Sequence, residues 1–243
     1  MTGNLILVLG DQLSHDLTSL RDADPGTDRI LMAEVMEEGT YVAHHPKKIL
    51  FILSAMRHFA GELRERNGIE VACIASDLAQ PEASAELAKA LEQQQIAVTG
   101  LINNAGFGDR GQFADLDLQR QLDMVQVNVT ALVDLTWRLV PALKQAKDAF
   151  VINVASSAAF QAGPNMTIYY ATKAFVLSFS EGLHEELKGN GIAVSALCPG
   201  ATDSEFATEA HMTDTLLFKA GTMTTEAVVK KSGYLHSRVG FQP

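Results

Sequence analysis

The chain has 243 residues, 47% of them hydrophobic, and a formal net charge of −10. That length suits one large α/β domain or two small ones, and the apolar share can fill a sizeable core. The acidic balance argues against a nucleic-acid partner or an anionic membrane surface. Two cysteines, Cys73 and Cys198, lie in strand-like runs and read as buried thiols rather than a disulfide or metal site. Asp11 cuts the first apolar run short and no basic stretch precedes it, so no signal peptide is expected. The longest apolar runs, such as Ile49–Leu53, fall far below a membrane span, and a cytoplasmic protein is expected.

Residues 4–9 (NLILVL) read as a buried parallel strand, and residues 29–35 as a second. Residues 46–66 read as a helix with Pro46 near its first turn and Asn67-Gly68 as its stop. Its stripe of Ile49, Ile52, Leu53, Met56, Phe59 and Leu63 reads as core. His44 and His45 have no third ligand at metal spacing and read as solvated loop residues. Ile69–Ala75 gives strand three. The segment Pro81–Gln95 is an amphipathic helix with Pro81 in its first turn, and Ile96–Ile102 the next strand.

Gly106, Gly108 and Gly111 then match G-x-G-x-x-G after a strand. The dinucleotide fingerprint needs a second strand ending in an acid about twenty residues on. Gln112 to Leu143 reads as helical instead, so this match is a decoy. A helix from about Leu118 to Leu135 carries Asn128 on an otherwise apolar face with Val125, Val129 and Leu132. Val151–Val154 is a buried strand, followed by Ser156 and Ser157, a Gly163-Pro164 loop and a helix from near Met166. Ile192–Leu197 is the next strand. Residues 203–222 read as a lid over substrate, and the text after Val228-Val229 offers no clear final strand.

Tyr169 and Lys173 sit four apart and share one helix face. Ser156 lies at the mouth of the preceding strand, so a hydroxyl, a phenol and an ammonium can converge. A free tyrosine has a pKa near 10 and is a poor acid or base at neutral pH, whereas a nearby cation favours the phenolate. A tyrosine lowered in this way could pass a proton to or from a carbonyl or alcohol oxygen. The bare spacing is equally that of a half-buried tyrosine beside a solvated lysine.

Its company gives it meaning. Asp77-Leu78 follows strand three, Asn103-Asn104-Ala105-Gly106 follows strand four, and Asn128 sits in VQVNVTAL. Ser156, Tyr169 and Lys173 come next, then Cys198-Pro199-Gly200-Ala201-Thr202. In this order, over about residues 71–230, the chain resembles the short-chain dehydrogenase/reductase family. The resemblance implies an α/β, three-layer Rossmann-like fold with a doubly wound, mostly parallel sheet whose final strand is missing here. It implies an NAD(P)-dependent oxidoreductase acting on a small-molecule carbonyl/alcohol pair. Tyr169 would be acid/base, Ser156 the carbonyl orienter, Lys173 the ribose anchor and pKa tuner, and Asn128 the holder of a relay water. NAD or NADP would be held by Asp77, Leu78, Asn104, Ala105, Gly106, Tyr169, Lys173, Pro199, Gly200 and Thr202. No metal is implied. Helices 112–143 and 165–188 resemble those that pair in family homodimers and homotetramers.

The front of the chain departs from that pattern. After the first strand the family writes TGxxxGxG, but this chain writes Gly10-Asp11-Gln12-Leu13-Ser14-His15-Asp16-Leu17. Only Gly10 is permissive, and two carboxylates stand where pyrophosphate would sit. Losing two or three charge-assisted bonds to phosphate costs on the order of 3–9 kcal/mol. Residues 4–70 (LILVLGDQLS, RILMAEVMEEGTYVAHHPKK, FILSAMRHFAGELRERNG) resemble the antenna domain of bacterial photolyase/cryptochrome-related proteins. That resemblance implies a Rossmann-like start, with a residual flavin-like pocket near Glu34 and Glu38. Residues 1–243 are then one Rossmann-like domain, fused from a photolyase-related half (1–70) and a dehydrogenase-like half (71–243). If a dinucleotide binds, Glu34 at the end of strand two favours NAD over NADP. Two alternatives stay open: a non-catalytic Rossmann-like fusion with impaired dinucleotide binding, and Ser156 as an ester-hydrolysing nucleophile. No G-x-S-x-G elbow surrounds Ser156, which counts against the last.

Overall fold

In the computed structural model of the chain, residues 5–9, 29–34, 70–202 and 222 are described. Six strands form one sheet: β1 (Leu5–Leu9), β2 (Arg29–Glu34), β3 (Glu70–Ala75), β4 (Gly100–Asn103), β5 (Phe150–Val154) and β6 (Ala193–Leu197). Their spatial order is β3-β2-β1-β4-β5-β6, and every neighbouring pair runs parallel. The winding reverses between β1 and β4, where open α/β sheets leave a crevice at the strands' carboxyl ends. This is the expected Rossmann-like architecture. The helix expected at 46–66, His44 and His45, the text after β1, Glu38, residues 203–221 and the end of the chain lie outside the described residues. So do the side chains of β1 and β2, Glu34 included.

Pairing of β4 with β1 starts at Gly100, opposite Ile6, not at Ile96 as expected. A ladder needs a partner, and β1 itself starts only at Leu5. Four helices are described: α1 (Ala83–Gln93), α2 (Leu118–Val125), α3 (Leu132–Leu143) and α4 (Thr167–Leu187). In α1, Ala83, Leu87 and Leu91 recur every four residues and are buried. Pro81 stands ahead of that helix rather than in its first turn. The helical run expected from Gln112 starts only at Leu118. Asp117 has extended backbone there, and its carboxylate accepts from the Arg120 N–H at 2.8 Å, which makes it the N-cap.

Between α2 and α3 the chain widens into a π-type turn over Gln126–Ala131. The sequence QVNVTA holds two valines, a threonine and an asparagine, all poor helix formers. An inserted residue of this kind shifts the register of the helix. Asn128 therefore shares its buried side with Met124, Val127, Ala131 and Leu132, while Val125 turns out to solvent. The expected face with Val125 is corrected by that shift.

Two asparagines tie the sheet to its helices. Asn103 and Asn153 stand opposite each other on β4 and β5. Asn103 Nδ2 donates to Asn153 Oδ1 at 2.8 Å and to Thr136 Oγ1 of α3 at 2.9 Å. Asn153 Nδ2 donates to Ser180 Oγ of α4 at 2.9 Å. Thr136 and Ser180 each send their own hydrogen to the carbonyl four residues back, which leaves lone pairs for the amides. α3 and α4 thus cover the same sheet face, and their spacing is set by directional bonds as well as by apolar packing.

Cys73 is exposed and Cys198 half-buried, so the expectation of two buried cysteines fails. β3 is the edge strand of the described order, and Cys198 lies just past β6 where the sheet gives way to a turn. Among the described residues, no helix is long and apolar enough to cross a membrane. Within the same residues, no group of three or more His, Cys, Asp or Glu could hold a metal ion.

Candidate active site

The carboxyl ends of β4, β5 and β6 carry most of the residues singled out above. Asn104, Ala105 and Gly106 leave β4 half-buried, Ser156 stands just past β5, and Pro199 and Gly200 follow β6. Backbone bonds lace two of these ends together. Ala155 N–H donates to the Leu197 carbonyl at 2.8 Å, and Ser157 N–H to the Pro199 carbonyl at 2.8 Å. Thr202 Oγ1 donates to the Gly200 carbonyl at 3.0 Å and steadies the same turn.

α4 brings Tyr169 and Lys173 to this edge. Its buried side runs Tyr169, Thr172, Lys173, Val176 and Ser180, the spacing of a core-facing stripe. A lysine 5% exposed on such a stripe is the anomaly of the helix, because Lys is almost never fully buried unless paired. Its Nζ donates to the Val154 carbonyl at the end of β5 at 2.8 Å and lies 5.9 Å from the Tyr169 ring centre. The Tyr169 phenol is hydrogen-bonded by Ser156, whose Oγ also accepts from the Ala158 N–H at 3.1 Å. Hydroxyl, phenol and ammonium therefore meet at one place.

Their titration differs from the expected direction. Burial pushes the Tyr169 phenol up to about 12, outweighing the Ser156 hydrogen bond that lowers it. Lys173 is pulled down to about 8, again by burial, partly offset by the Cys198 thiol's charge. The ammonium does not lower the phenol here. Both groups are buried, and desolvation disfavours the charged form of each. Cys198 is itself raised, mainly by burial, with a Ser156 backbone bond and Lys173 acting the other way.

Asn128 is 1% exposed, and its amide is fully engaged. Oδ1 accepts from Phe107 N–H at 3.1 Å, while Nδ2 donates to the Phe107 carbonyl at 2.9 Å and to Thr172 Oγ1 at 3.1 Å. This bracket pins the loop after β4 against α4. A Cβ at Gly106 would lie 2.9 Å from Asn128 Oδ1 and 3.3 Å from Lys173 Nζ, so only glycine passes between them without displacement. The loop's Phe107 ring sits under the Arg120 guanidinium at 5.3 Å, and Arg120 pairs with buried Asp109 at 3.3 Å. Sequence reasoning missed Thr172, Phe107 and the Val154 carbonyl. For Thr172 the signal was available: a hydroxyl three residues after Tyr169 is placed to bond back along its own helix.

Two more of the residues expected near a cofactor follow β3. Leu78 is 2% exposed and belongs to the core. Asp77 accepts from Ala79 N–H and Gln80 Nε2, both at 3.1 Å, and so shapes the turn leading to α1.

The profile of the short chain dehydrogenase family matches residues 40–215. The chain belongs to that family. The match starts at residue 40 rather than near 71, and stops at 215 rather than near 230. The family match therefore takes in residues 40–70, text that also resembles the photolyase-related segment. Among family relatives, the very-long-chain 3-oxoacyl-CoA reductase of Anas platyrhynchos is 34% identical over 145 residues, 58% of this chain and 46% of that protein. The chain spans about half the length of the curated family relatives it matches. A solved short-chain dehydrogenase from Sphingobium yanoikuyae, in complex with NADPH, is 27% identical with a TM-score of 0.78. That likeness covers 97% of this chain and 85% of the other. A different likeness covers 60 residues, which are 58% identical to a (6-4) photolyase of Agrobacterium fabrum. They amount to 25% of this chain and 12% of that protein.

Proposed function

We propose that the chain is an NAD(P)-dependent oxidoreductase that acts on a small-molecule carbonyl/alcohol pair through Tyr169, Lys173, Ser156 and Asn128. The observation that carries this reading is the meeting of Ser156, Tyr169 and Lys173 at the carboxyl end of β5. Family membership and the NADPH complex of the Sphingobium yanoikuyae relative support the choice of cofactor. The described residues fit the nicotinamide–ribose end of such a cofactor. Lys173 has one bond to Val154 and two further N–H donors for vicinal hydroxyls. Gly106 leaves open the space that a Cβ would fill against Lys173 and Asn128. Asn104, Ala105, Pro199, Gly200 and Thr202 line the same rim, with Asp77 and Leu78 beyond β3.

When bound, the dinucleotide supplies or accepts a hydride. The chain's own residues handle the proton. Ser156 holds the substrate oxygen beside the phenol, and Tyr169 delivers its proton to that oxygen as the carbonyl is reduced. A phenol raised to about 12 is protonated at neutral pH, which suits the reducing direction. Asn128, with its amide spent on Phe107 and Thr172, fixes the loop that faces the reacting atoms. A cytoplasmic setting accords with a chain of only two cysteines.

A second reading is favoured by the photolyase likeness. We assign that likeness to residues 4–70, which makes the single domain of 1–243 a fusion whose sequence after the first strand carries Asp11 and Asp16 in place of the family's glycine-rich text. Such a protein keeps the fold and binds dinucleotide poorly. Calorimetric titration with NADH and NADPH separates the two. Saturable binding below about 1 mM supports the oxidoreductase, and its absence for both nucleotides favours the non-catalytic fusion.

Assembly as a homodimer or homotetramer belongs to the first reading. Leu118, Leu122 and Val125 recur along α2 as an exposed apolar stripe, with Trp137 74% exposed on α3 and Phe175 exposed on α4. An apolar strip of this kind fits a second copy of the same strip across a two-fold axis. Leu122→Glu combined with Trp137→Glu is expected to convert the oligomer to monomer in light scattering. A wild-type chain that is already monomeric at micromolar concentration ends this part of the reading.

A further inference from the structure

We infer that Thr172 is a positioning residue whose single hydroxyl joins the Asn128 amide to the Tyr169 turn and so sets the active-site loop against the acid/base helix. Its kinetic consequence rests on the proposed oxidoreductase reading; its structural consequence does not.

Thr172 is 3% exposed, on the buried stripe of α4 between Tyr169 and Lys173. Its hydroxyl hydrogen goes to the Tyr169 carbonyl at 2.7 Å. A lone pair then accepts from Asn128 Nδ2 at 3.1 Å. Asn128 spends its other N–H on the Phe107 carbonyl and its oxygen on the Phe107 N–H. Rotating the amide by half a turn would set its NH2 against the Phe107 N–H, so only one orientation is satisfied. The chain of contact is continuous: Tyr169 carbonyl, Thr172 hydroxyl, Asn128 amide, Phe107 backbone. It crosses from α4 to the π-type turn and on to the loop after β4.

Without that hydroxyl, one Asn128 N–H is buried and unmatched, and only the two bonds to Phe107 still hold the amide. Gly106 lies against both Asn128 Oδ1 and Lys173 Nζ, so movement there reaches the lysine as well. Threonine also fits this place sterically, since its β-branch fills the stripe while its oxygen bonds in two directions. Valine keeps the shape and loses both bonds; serine keeps both bonds and loses a methyl.

The test compares wild type, Thr172→Val and Thr172→Ser by NMR-detected hydrogen exchange at the Asn128 side-chain amide and the Phe107 backbone amide. Steady-state reduction of a panel of aldehydes and ketones with NADPH runs alongside. In wild type both amides are protected. Thr172→Val speeds their exchange by about tenfold or more. It also lowers kcat by about ten- to a hundredfold, with little change in the KM for NADPH. Thr172→Ser restores exchange and kcat alike. Unchanged exchange in Thr172→Val overturns the inference, as does a Thr172→Ser variant as impaired as Thr172→Val. Should Thr172→Val not fold, an Asn128 side-chain amide that exchanges freely in wild type overturns it equally. A wild-type protein without turnover ends the proposed activity, while the exchange data still decide the role of Thr172.

Discussion

Replacing Tyr169 by Phe is expected to lower carbonyl reduction by about 10³-fold, within the range a positioned general acid contributes. The substitution removes one oxygen and little else. Phe keeps the buried ring and its edge contact with Tyr170, whose ring centre lies 6.1 Å away at 77°. Ser156 keeps its bond to the Ala158 N–H, so the strand end stays in place. Dinucleotide affinity should change by no more than about tenfold, the worth of one hydrogen bond. The loss therefore appears in kcat and not in binding. The wild-type pH profile adds a second mark. A phenol raised to about 12 stays protonated through the neutral range, so the phenol itself imposes no fall on reduction from neutral to mildly alkaline pH. Alcohol oxidation needs the phenolate and should climb with pH over the same range. Steady-state rates in both directions measure this. A Phe variant with kcat within a few-fold of wild type would remove Tyr169 from the chemistry.

The sequence carried the parallel sheet and the meeting of Ser156, Tyr169 and Lys173 because both rest on short-range periodicity. A four-residue step on a helix and a strand ending in serine fix relative positions with little help from the rest of the fold. Register across the π-type turn was not legible. One inserted residue in QVNVTA rotates Asn128 away from Val125, and only tertiary packing decides where such an insertion falls. The start of α2 near Leu118 was legible, although the text from Gln112 also read as helical. The pattern from Gln112 onward is compatible with helix, but Asp117 caps the chain at Leu118. Direction of titration was misread because proximity of an ammonium was weighed and burial was not. Burial depends on what surrounds the stripe of α4, and spacing along one helix says nothing of that. Lys173 could have raised the suspicion by itself, since it stands where the helical pattern calls for an apolar residue.

The same buried lysine sets the second expectation, a rise in folding stability with pH. In the folded chain the Lys173 ammonium titrates near 8, against an ordinary value of 10.5. Between those two values the unfolded chain binds a proton that the folded chain does not. Stability must therefore increase across that window, by on the order of 3 kcal/mol if nothing opposes it. Tyr169 acts in the other sense. Its stabilising contribution is complete below its ordinary value of 10 and is lost as pH rises through about 12. Cys198, also raised by burial, subtracts from the alkaline side too. The net profile should climb from about pH 8 and turn over near pH 10. Lys173→Met removes the climb and leaves the alkaline fall. At neutral pH the Met variant no longer desolvates an ammonium, though it does leave the Val154 carbonyl without that donor. It should unfold at a urea concentration no lower than wild type while losing turnover, the trade expected where a charge is kept buried for its chemistry. Urea titrations of both proteins at half-unit steps between pH 7 and 11 read the difference directly. Parallel profiles for the two proteins would mean that Lys173 titrates as a solvated lysine, and the site would then lose its cation from the buried edge of the sheet.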